Sequence, residues 1–368
     1  MKMKRMLLII CLVLSLSYKG LATNAYDLVE HNLNNYAKYK NGDFKNYKYE
    51  DEFFTYPVRP NEPTPQKVLI NSENFFPSII KKIIFSNDGR KRIHDTTNWP
   101  YSIHVKLSMK FEEENSHYGG SGILVGPHHI LTAGHNIYNE KKKWATRVVA
   151  SPGLNDQAAP YGEVNVVKAY AFSAWFKMND PQFDMAILIL DTSIGNQTGW
   201  AGLLCPSENT LTREQVSITG YPGDKGFKQM WSMSKRLKNI NQETFSYTID
   251  TYGGQSGSGI WINRLNVPHV LGVHTLGSEY SNSGVRLSLN KYNKIYRIIK
   301  DTYILDINKN YISSFISEEK KHLKETWANL KDFNIENASI SFATFNLKLF
   351  LFPSKWSFNK VRDLINDE

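Results

Sequence analysis

Three short stretches of the 368-residue chain carry side chains whose types could support nucleophilic catalysis. His135 stands at the end of a predicted strand, after the small residues Ala133 and Gly134, which leave an imidazole accessible and let the backbone turn tightly. Asp184 opens an apolar strand, where a carboxylate is partly buried and needs a hydrogen-bonding partner. Ser256 lies in a glycine-rich loop that could point backbone N–H groups inward as an oxyanion hole.

Together these three side chains predict a catalytic triad. A serine hydroxyl is a poor nucleophile unless an imidazole takes its proton, and the imidazole needs a carboxylate to hold its tautomer and stabilise its charged form. The chain order His135, Asp184, Ser256 is that of a known two-barrel template. The chain order in α/β-hydrolases is Ser, Asp, His. Their Gly-x-Ser-x-Gly motif needs a glycine two residues after the nucleophile, and here that position holds Ser258. Each stretch alone is ordinarily structural, but their joint occurrence beside strands favours catalysis.

The elements that must position these residues are short strands. From about residue 100 to 290, apolar or alternating runs are separated by Gly, Pro, Asn and Asp, which is typical of a barrel or sandwich and not of a wound α/β sheet. A helix is predicted at the end, because apolar residues recur at three- and four-residue steps from Tyr292 to Tyr303. The predicted strands are Tyr101–Leu107, Gly122–Val125, Ile130–Leu131, Met185–Leu190, Val216–Thr219, Ile260–Ile262 and Val270–Val273.

The first 25 residues predict a signal peptide. Met1–Arg5 carry three positive charges, Leu7–Leu16 form an apolar run too short to span a bilayer, and a cleavage site follows at Ala22 or Ala25. A short buried helix is a poorer interpretation, because the charged head and small-residue tail stand in the order of a signal. We therefore expect a secreted protein, extracellular or periplasmic, with no membrane association after cleavage.

Residues 26–82 predict a pro-segment. They are rich in Asn, Tyr and Lys, contain three prolines between Pro60 and Pro65 and show no sustained period, which is typical of an extended arm. They end in Lys81-Lys82 before the aliphatic Ile83, which suits either a processing cut or a charged turn before a strand. Beyond about residue 306 the pattern changes to a predicted helix and a strand or hairpin, so that 306–368 is expected to be a small C-terminal extension.

Composition narrows the classes of partner and cofactor. Lys+Arg 44 against Asp+Glu 35 give a net charge of +9, which favours acidic partners, but the lysines form no basic-aromatic motif for nucleic acid. Two cysteines exclude a disulfide scaffold and a four-cysteine zinc site; Cys11 leaves with the signal, and Cys205 is expected to be a buried thiol. His128, His129 and His135 lie close together, but there is no His-Glu-x-x-His pattern, so no metal or other cofactor is expected.

Several further stretches accompany the triad and carry a family resemblance. They are Asp95-Thr96-Thr97 about twelve residues after Ile83, Gly220–Lys225 followed by Met230-Trp231, the serine loop Thr251–Gly259, and Gly272-Val273-His274. With them the chain resembles the chymotrypsin-fold serine peptidases of the glutamyl endopeptidase type, the staphylococcal V8-like branch. The resemblance runs from about residue 83 to 303, some three-fifths of the chain.

The resemblance implies an all-β domain over 83–305, built of two antiparallel six-stranded barrels with the active site between them and a C-terminal helix. It implies that His135 is the general base and acid, Asp184 its orienting carboxylate and Ser256 the nucleophile. The N–H groups of Gly254 and Ser256 would form the oxyanion hole. The expected activity is that of a monomeric serine endopeptidase acting on proteins or peptides.

The resemblance also implies a preference for glutamate, or aspartate, at P1. His274, Thr251 and the freed amine of Ile83 would bind its carboxylate, which needs charged or pre-aimed donors. In the trypsin branch an acid before the nucleophile pairs with the new N-terminus, but Gln255 is uncharged and leaves that amine available. The Lys82–Ile83 bond is then the expected activation cut. A separate protease is expected to make it, because self-cleavage after lysine contradicts a glutamate preference.

Other interpretations stay open. Thr275 and Leu276 stand where that branch usually has an aromatic residue and a glycine, so a serine endopeptidase of different P1 preference is the first alternative. An inactive exported binding module is the second, although a decayed site usually loses a triad residue. Metal-dependent catalysis and nucleic-acid binding are weaker alternatives.

Overall fold

The computed structural model describes residues 25–33, 47–49, 52–55, 57–60, 68–69, 75–77, 84–85, 87–112, 116–139, 141–264 and 267–302. Nearly all of the predicted signal peptide, the Lys82–Ile83 bond and the extension 306–368 lie outside the described residues. The chain divides into two compact units, Met1–Lys45 with Phe54–Ile304, and Asn46–Phe53 with Leu305–Glu368. The candidate site lies wholly in the first unit.

Strands dominate the described residues. In chain order they are β1 (Leu28–Asn32), β2 (Tyr47–Tyr49), β3 (Glu52–Phe54), β4 (Val68–Leu69), β5 (Phe75–Pro77), β6 (Lys91–Arg92), β7 (His104–Phe111), β8 (His117–Gly126), β9 (His129–Thr132), β10 (Ala145–Pro152), β11 (Ala158–Ala159), β12 (Val164–Phe172), β13 (Ala186–Leu190), β14 (Gly202–Cys205), β15 (Gln215–Gly220), β16 (Trp231–Arg236), β17 (Asn239–Ile240), β18 (Thr244–Tyr247), β19 (Gly259–Arg264), β20 (Val267–Ser278) and β21 (Ser281–Arg286). The helices are α1 (Ser173–Met178), α2 (Gly195–Thr198), α3 (Glu208–Arg213) and α4 (Leu289–Thr302). In the second unit the structure describes β2 and the first two residues of β3.

The first sheet closes into a six-stranded antiparallel barrel. Its strands follow the order β7, β8, β9, β13, β12 and β10, and β10 pairs back onto β7. Every residue of β13 is buried, which explains why this strand is a continuous apolar run instead of an alternating one. The predicted all-β class and a closed six-stranded barrel are confirmed.

The second sheet is larger than a six-stranded barrel. Its main path runs β17, β18, β21, β20, β19, β15, β16 and β6, and β14 pairs in parallel with β20. The two ends of this path, β17 and β6, are not paired with each other among the described residues. Cys205 at the end of β14 is a buried thiol, as expected.

The predicted helix and strands are confirmed with shifted bounds. Helix α4 buries Tyr292, Ile295 and Ile299, which lie three or four residues apart on one face. Residues Tyr101–Ile103 form a 3-10 turn before β7, where a strand was predicted, and β8 and β20 are longer than their apolar cores. No helix in the described part of the chain is long and apolar enough to cross a membrane.

Residues 26–82 contain short strands that the sequence did not indicate. Strand β1 pairs with all five positions of Lys168–Phe172 on β12, β4 pairs with β11, and β5 runs parallel to His117–Gly119 of β8. Strand edges offer unpaired N–H and C=O groups to any extended segment. Segments of two to five residues are too short to show a strand period, which is why the composition indicated only an extended arm.

Candidate active site

His135 and Asp184 are in direct contact. His135 lies on the 3-10 turn Gly134–Asn136 that follows β9, and Asp184 lies just before β13, which pairs with β9. The His135 N–H donates to Asp184 Oδ1 at 2.8 Å, and His135 Nδ1 lies 2.7 Å from Asp184 Oδ2. Both side chains are buried. A carboxylate that accepts from Nδ1–H leaves Nε2 as the basic nitrogen of the imidazole.

Gly134 allows Trp175 to pack against this pair. A Cβ atom on Gly134 would lie 2.8 Å from Trp175 Cδ1 and 3.0 Å from Asp184 Oδ1. The Trp175 ring stands edge-on to the His135 ring, with centroids 6.3 Å apart, and its Nε1–H donates to the Tyr138 carbonyl at 3.1 Å. The small residue before the histidine therefore serves close packing as well as the tight turn.

Residues of the first barrel donate hydrogen bonds to carbonyl groups of the serine loop. The Ser256 carbonyl accepts from the Ser121 N–H at 2.9 Å and from Asn136 Nδ2 at 3.0 Å. The Ser121 hydroxyl donates to the Gly254 carbonyl at 2.8 Å. Because Asn136 is the chain neighbour of His135, these bonds connect the Ser256 backbone to the residue that follows the histidine.

A hydrogen bond between Ser256 and His135 is absent from the described residues. His135 Nε2 is buried and has no hydrogen-bond partner there. Catalytic hydrogen bonds are often long or misaligned without substrate and tighten only in the productive complex. The structure thus joins the Ser256 carbonyl to the residue after His135, and it shows no hydrogen bond between the two side chains among the described residues.

The N–H groups of Gly254 and Ser256 have no hydrogen-bond acceptor in the described part of the chain. Gly254 has φ +101°, a conformation that side chains disfavour, and a Cβ there would lie 2.5 Å from the Phe227 ring and 2.7 Å from the Tyr221 carbonyl. A glycine is therefore required at this position. Two unpaired donors on one turn can bind an oxyanion.

Thr251, the first residue of the serine loop, and His274 on β20 are both buried. The His274 N–H donates to the Ser258 carbonyl at 2.8 Å, and His274 Nδ1 lies 2.8 Å from the Tyr247 hydroxyl. Burial, followed by the charge of neighbouring His135, lowers the pKa of His274 to about 3. Burial raises the pKa of Tyr247 well above its ordinary value, so its hydroxyl stays protonated.

Ile83 lies outside the described residues, but the chain just after it is anchored near Thr251. The carboxylate of Asp250 accepts from the Phe85 N–H and the Gly89 N–H, each at 2.8 Å. Asp250 is the residue before Thr251. Its two hydrogen bonds bring the segment after the predicted cut to the loop that carries the predicted substrate-binding residues.

The three neighbouring histidines form separate contacts. His128 Nε2 lies 3.1 Å from the Ser193 hydroxyl, His129 Nε2 lies 2.7 Å from the Thr302 hydroxyl, and His135 contacts Asp184. Among the described residues no group of three or more His, Cys, Asp or Glu side chains is arranged to hold a metal ion.

Sequence reasoning missed several residues that shape the site, namely Ser121, Asn136, Trp175, Tyr247 and Asp250. Asn136 could have been found as the polar neighbour of His135, and Asp250 as the acid that opens the serine loop. The others lie far along the chain from the residues they contact, and no local pattern marks them.

The chain is similar to known peptidases. The family of the trypsin-like peptidase domain matches residues 120–267. The glutamyl endopeptidase of Bacillus licheniformis is 33% identical over 256 residues, which is 68% of this chain and 75% of the relative. The extracellular metalloprotease of Bacillus subtilis is 35% identical over 213 residues, 58% of this chain and 68% of the relative.

A solved structure gives the same relation. A Glu endopeptidase in complex with MPD is 29% identical and has a TM-score of 0.52. The match covers 59% of this chain and 99% of that one.

Proposed function

The chain belongs to the glutamyl endopeptidase family of trypsin-like serine peptidases, and from this premise we propose that it cleaves peptide bonds after glutamate through His135, Asp184 and Ser256. The observation that carries the proposal is the His135–Asp184 contact beside a serine loop with two free N–H groups. A serine endopeptidase needs a base, a group that orients it and an oxyanion site. His135, Asp184 and the N–H groups of Gly254 and Ser256 would supply these three.

The proposed reaction uses an acyl-enzyme. The Ser256 hydroxyl attacks the scissile carbonyl while His135 Nε2 takes its proton, and Asp184 stabilises the imidazolium that forms. The N–H groups of Gly254 and Ser256 donate to the developing oxyanion. His135 then returns the proton to the leaving amine, and a water molecule activated by the same nitrogen releases the acid product.

The proposed P1 site uses a neutral imidazole. The Tyr247 hydroxyl lies 2.8 Å from His274 Nδ1. In this proposal the protonated hydroxyl donates to that nitrogen, which would hold the remaining ring proton on Nε2 as a donor for the glutamate carboxylate. Thr251 adds a hydroxyl, and the amine of Ile83 adds the positive charge. The hydrogen bonds that Asp250 accepts from Phe85 and Gly89 would hold that amine near Thr251.

A panel of peptides that differ only at P1 tests this preference. We expect kcat/KM for P1 Glu to exceed that for P1 Gln by at least about 10²-fold, because a site built for a carboxylate leaves its donors unpaired with the amide. A fluorophosphonate should abolish the activity and a chelator should not. Fast cleavage after Lys or Phe with none after Glu would refute the P1 assignment.

The Glu preference should not depend on the titration of His274. Its folded pKa of about 3 lies below an ordinary histidine pKa, so the ring is neutral in the range from about pH 5.5 to 7.5. The ratio of kcat/KM for P1 Glu and P1 Gln should therefore stay constant from about pH 5.5 to 7.5, since kcat/KM reports the free enzyme. A loss of preference as pH rises through about 6.5 would mean that a charged imidazole binds the substrate.

We further propose that the protein is secreted and made as a zymogen. Residues 1–25 would direct export, 26–82 would be removed by another protease at Lys82–Ile83, and 83–305 would form the peptidase domain. Support comes from the signal-like order of charges and small residues and from an extracellular relative. The extension 306–368 is assigned no role.

A further inference from the structure

Arg90 is a buried cation that the proposed mechanism leaves unused. Its side chain is fully buried, and its guanidinium donates in five directions. Nε and Nη2 donate to Asp88, both at 2.8 Å, and Nη2 and Nη1 donate to Asp224 at 2.5 and 3.1 Å. Nη1 also donates to Gln255 Oε1 at 3.3 Å. All five N–H groups of the side chain are thus used.

The charges around Arg90 balance. Two carboxylates, Asp88 and Asp224, face two cations, because Lys225 Nζ lies 3.4 Å from Asp88 and 3.8 Å from Asp224. The hydrogen bond from Arg90 holds the pKa of Asp88 well below its usual range. Although burial opposes it, hydrogen bonding to both carboxylates raises the pKa of Arg90. The guanidinium is therefore charged at every pH at which the enzyme is folded.

Gln255 links this cluster to the serine loop. Its Oε1 accepts from Arg90 and also from the Tyr252 N–H at 3.0 Å, while its own N–H donates to the Tyr252 carbonyl at 3.0 Å. The turn from Tyr252 to Gln255 is thereby closed twice. Its neighbours on either side are Gly254 and Ser256, whose N–H groups would form the oxyanion hole.

Arg90 is connected to the serine loop a second time, through its hydrogen bonds to Asp224. Asp224 lies in the 3-10 turn Gly223–Lys225, and the Gly223 N–H donates to the Gly253 carbonyl at 2.7 Å. Arg90 therefore fixes the turn on one side of the loop through Asp224 and the loop itself through Gln255.

We propose that Arg90 is a positioning residue that holds the oxyanion loop in its binding conformation through the Gln255 side chain. The inference rests on the proposed function, because the loop matters for rate only if Ser256 is the nucleophile. Because Gln255 is uncharged and accepts from Arg90, it leaves the freed amine of Ile83 available for the substrate.

The Gln255→Leu variant tests the link, because it removes the acceptor and leaves Arg90 with both carboxylates. Loss of one oxyanion donor costs about 10²–10³-fold in kcat, and a displaced donor should cost less. We expect kcat for a P1 Glu peptide to fall about 10- to 100-fold, with KM changed less than about threefold. Active sites are counted by fluorophosphonate titration.

Gln255→Glu is the conservative rescue for the loop, because a carboxylate can accept from both Arg90 and Tyr252. It is measured on a P1 Gln peptide, which does not use the Ile83 amine that the new carboxylate would pair with. Its kcat on that peptide should stay within about fivefold of the wild type. Arg92→Gln is the matched control: Arg92 pairs with Asp156 at 2.5 Å, is partly exposed and makes no described contact with the serine loop. Arg90→Lys keeps the positive charge but loses the planar set of five guanidinium donors. It should lower kcat as Gln255→Leu does.

An unchanged kcat in Gln255→Leu would overturn the inference, as would equal losses in Gln255→Leu and Gln255→Glu on the P1 Gln peptide. A lower melting temperature with an unchanged kcat per titrated site would mean that the Arg90 hydrogen bonds only stabilise the fold. That result would also overturn the inference. A wild-type enzyme without Ser256-dependent hydrolysis would overturn the proposed function itself. An active wild type with a fully active Gln255→Leu variant would overturn only the role of Arg90.

Discussion

Replacing Ser256 with alanine is expected to lower kcat by at least about 10⁴-fold, because the hydroxyl is the only proposed nucleophile and triad residues act as a unit. KM should change little, since the P1 site of His274 and Thr251 is untouched. The variant should also fail to react with a fluorophosphonate. Single-turnover and steady-state cleavage of a P1 Glu peptide, with the chain cut at its predicted start, provides the measurement.

The matched control is Ser234→Ala on β16. Ser234 is exposed, and its hydroxyl lies 2.7 Å from the Ser217 hydroxyl, away from the serine loop. It should keep full activity and label normally. Undiminished digestion of casein by Ser256→Ala would contradict the triad, and with it every role assigned to His135 and Asp184.

Adding one residue before Ile83 is expected to be the next most damaging change. An inserted glycine after Lys82 would move the amine by up to about 3.6 Å and take the positive charge away from the substrate carboxylate. Removing one partner of a buried ion pair costs about 3–5 kcal/mol, so kcat/KM for P1 Glu should fall by about 10²- to 5 × 10³-fold. Trypsin cuts both chains after Lys82, and terminal sequencing verifies each start.

Uncharged P1 residues provide the control for this experiment. Cleavage after Gln or Leu, slow in both forms, should change less than about tenfold, because those side chains do not use the amine. An equal loss for all P1 residues would instead indicate that the new N-terminus orders the active site as a whole. That result would contradict the proposal that Arg90 orders the oxyanion loop while the amine of Ile83 binds the substrate carboxylate.

Residues that stand in a recognisable local sequence pattern were predictable. Residues whose role depends on contacts made only by folding were not. His135, Asp184 and Ser256 each carry a local signature of small residues or an apolar strand. The continuous apolar run of β13 and the three- and four-residue steps of α4 likewise identify their elements. These signals are local because a strand end or a glycine turn is specified by a few adjacent residues.

The supporting residues have no such signature. Ser121 lies in the middle of β8, where its hydroxyl bonds the Gly254 carbonyl 133 positions away. In the sequence Tyr247 is an ordinary strand residue, and only the folded structure shows its contact with His274. The importance of Arg90 rests on the simultaneous approach of Asp224 and Gln255, which only the tertiary structure provides. Spacing along the chain cannot reveal such contacts.

The pairing of β5 with β8 has a consequence for latency. Extended peptides bind enzymes and other proteins by adding a strand to a free edge, and one edge accepts one strand at a time. Strand β5 occupies the edge at His117–Gly119, two residues before Ser121, which bonds the carbonyl of Ser256. Any substrate that extends along this edge must displace Phe75–Pro77. Under the proposed cut those residues would leave with the pro-segment, so that this edge would become free for a substrate strand only after activation.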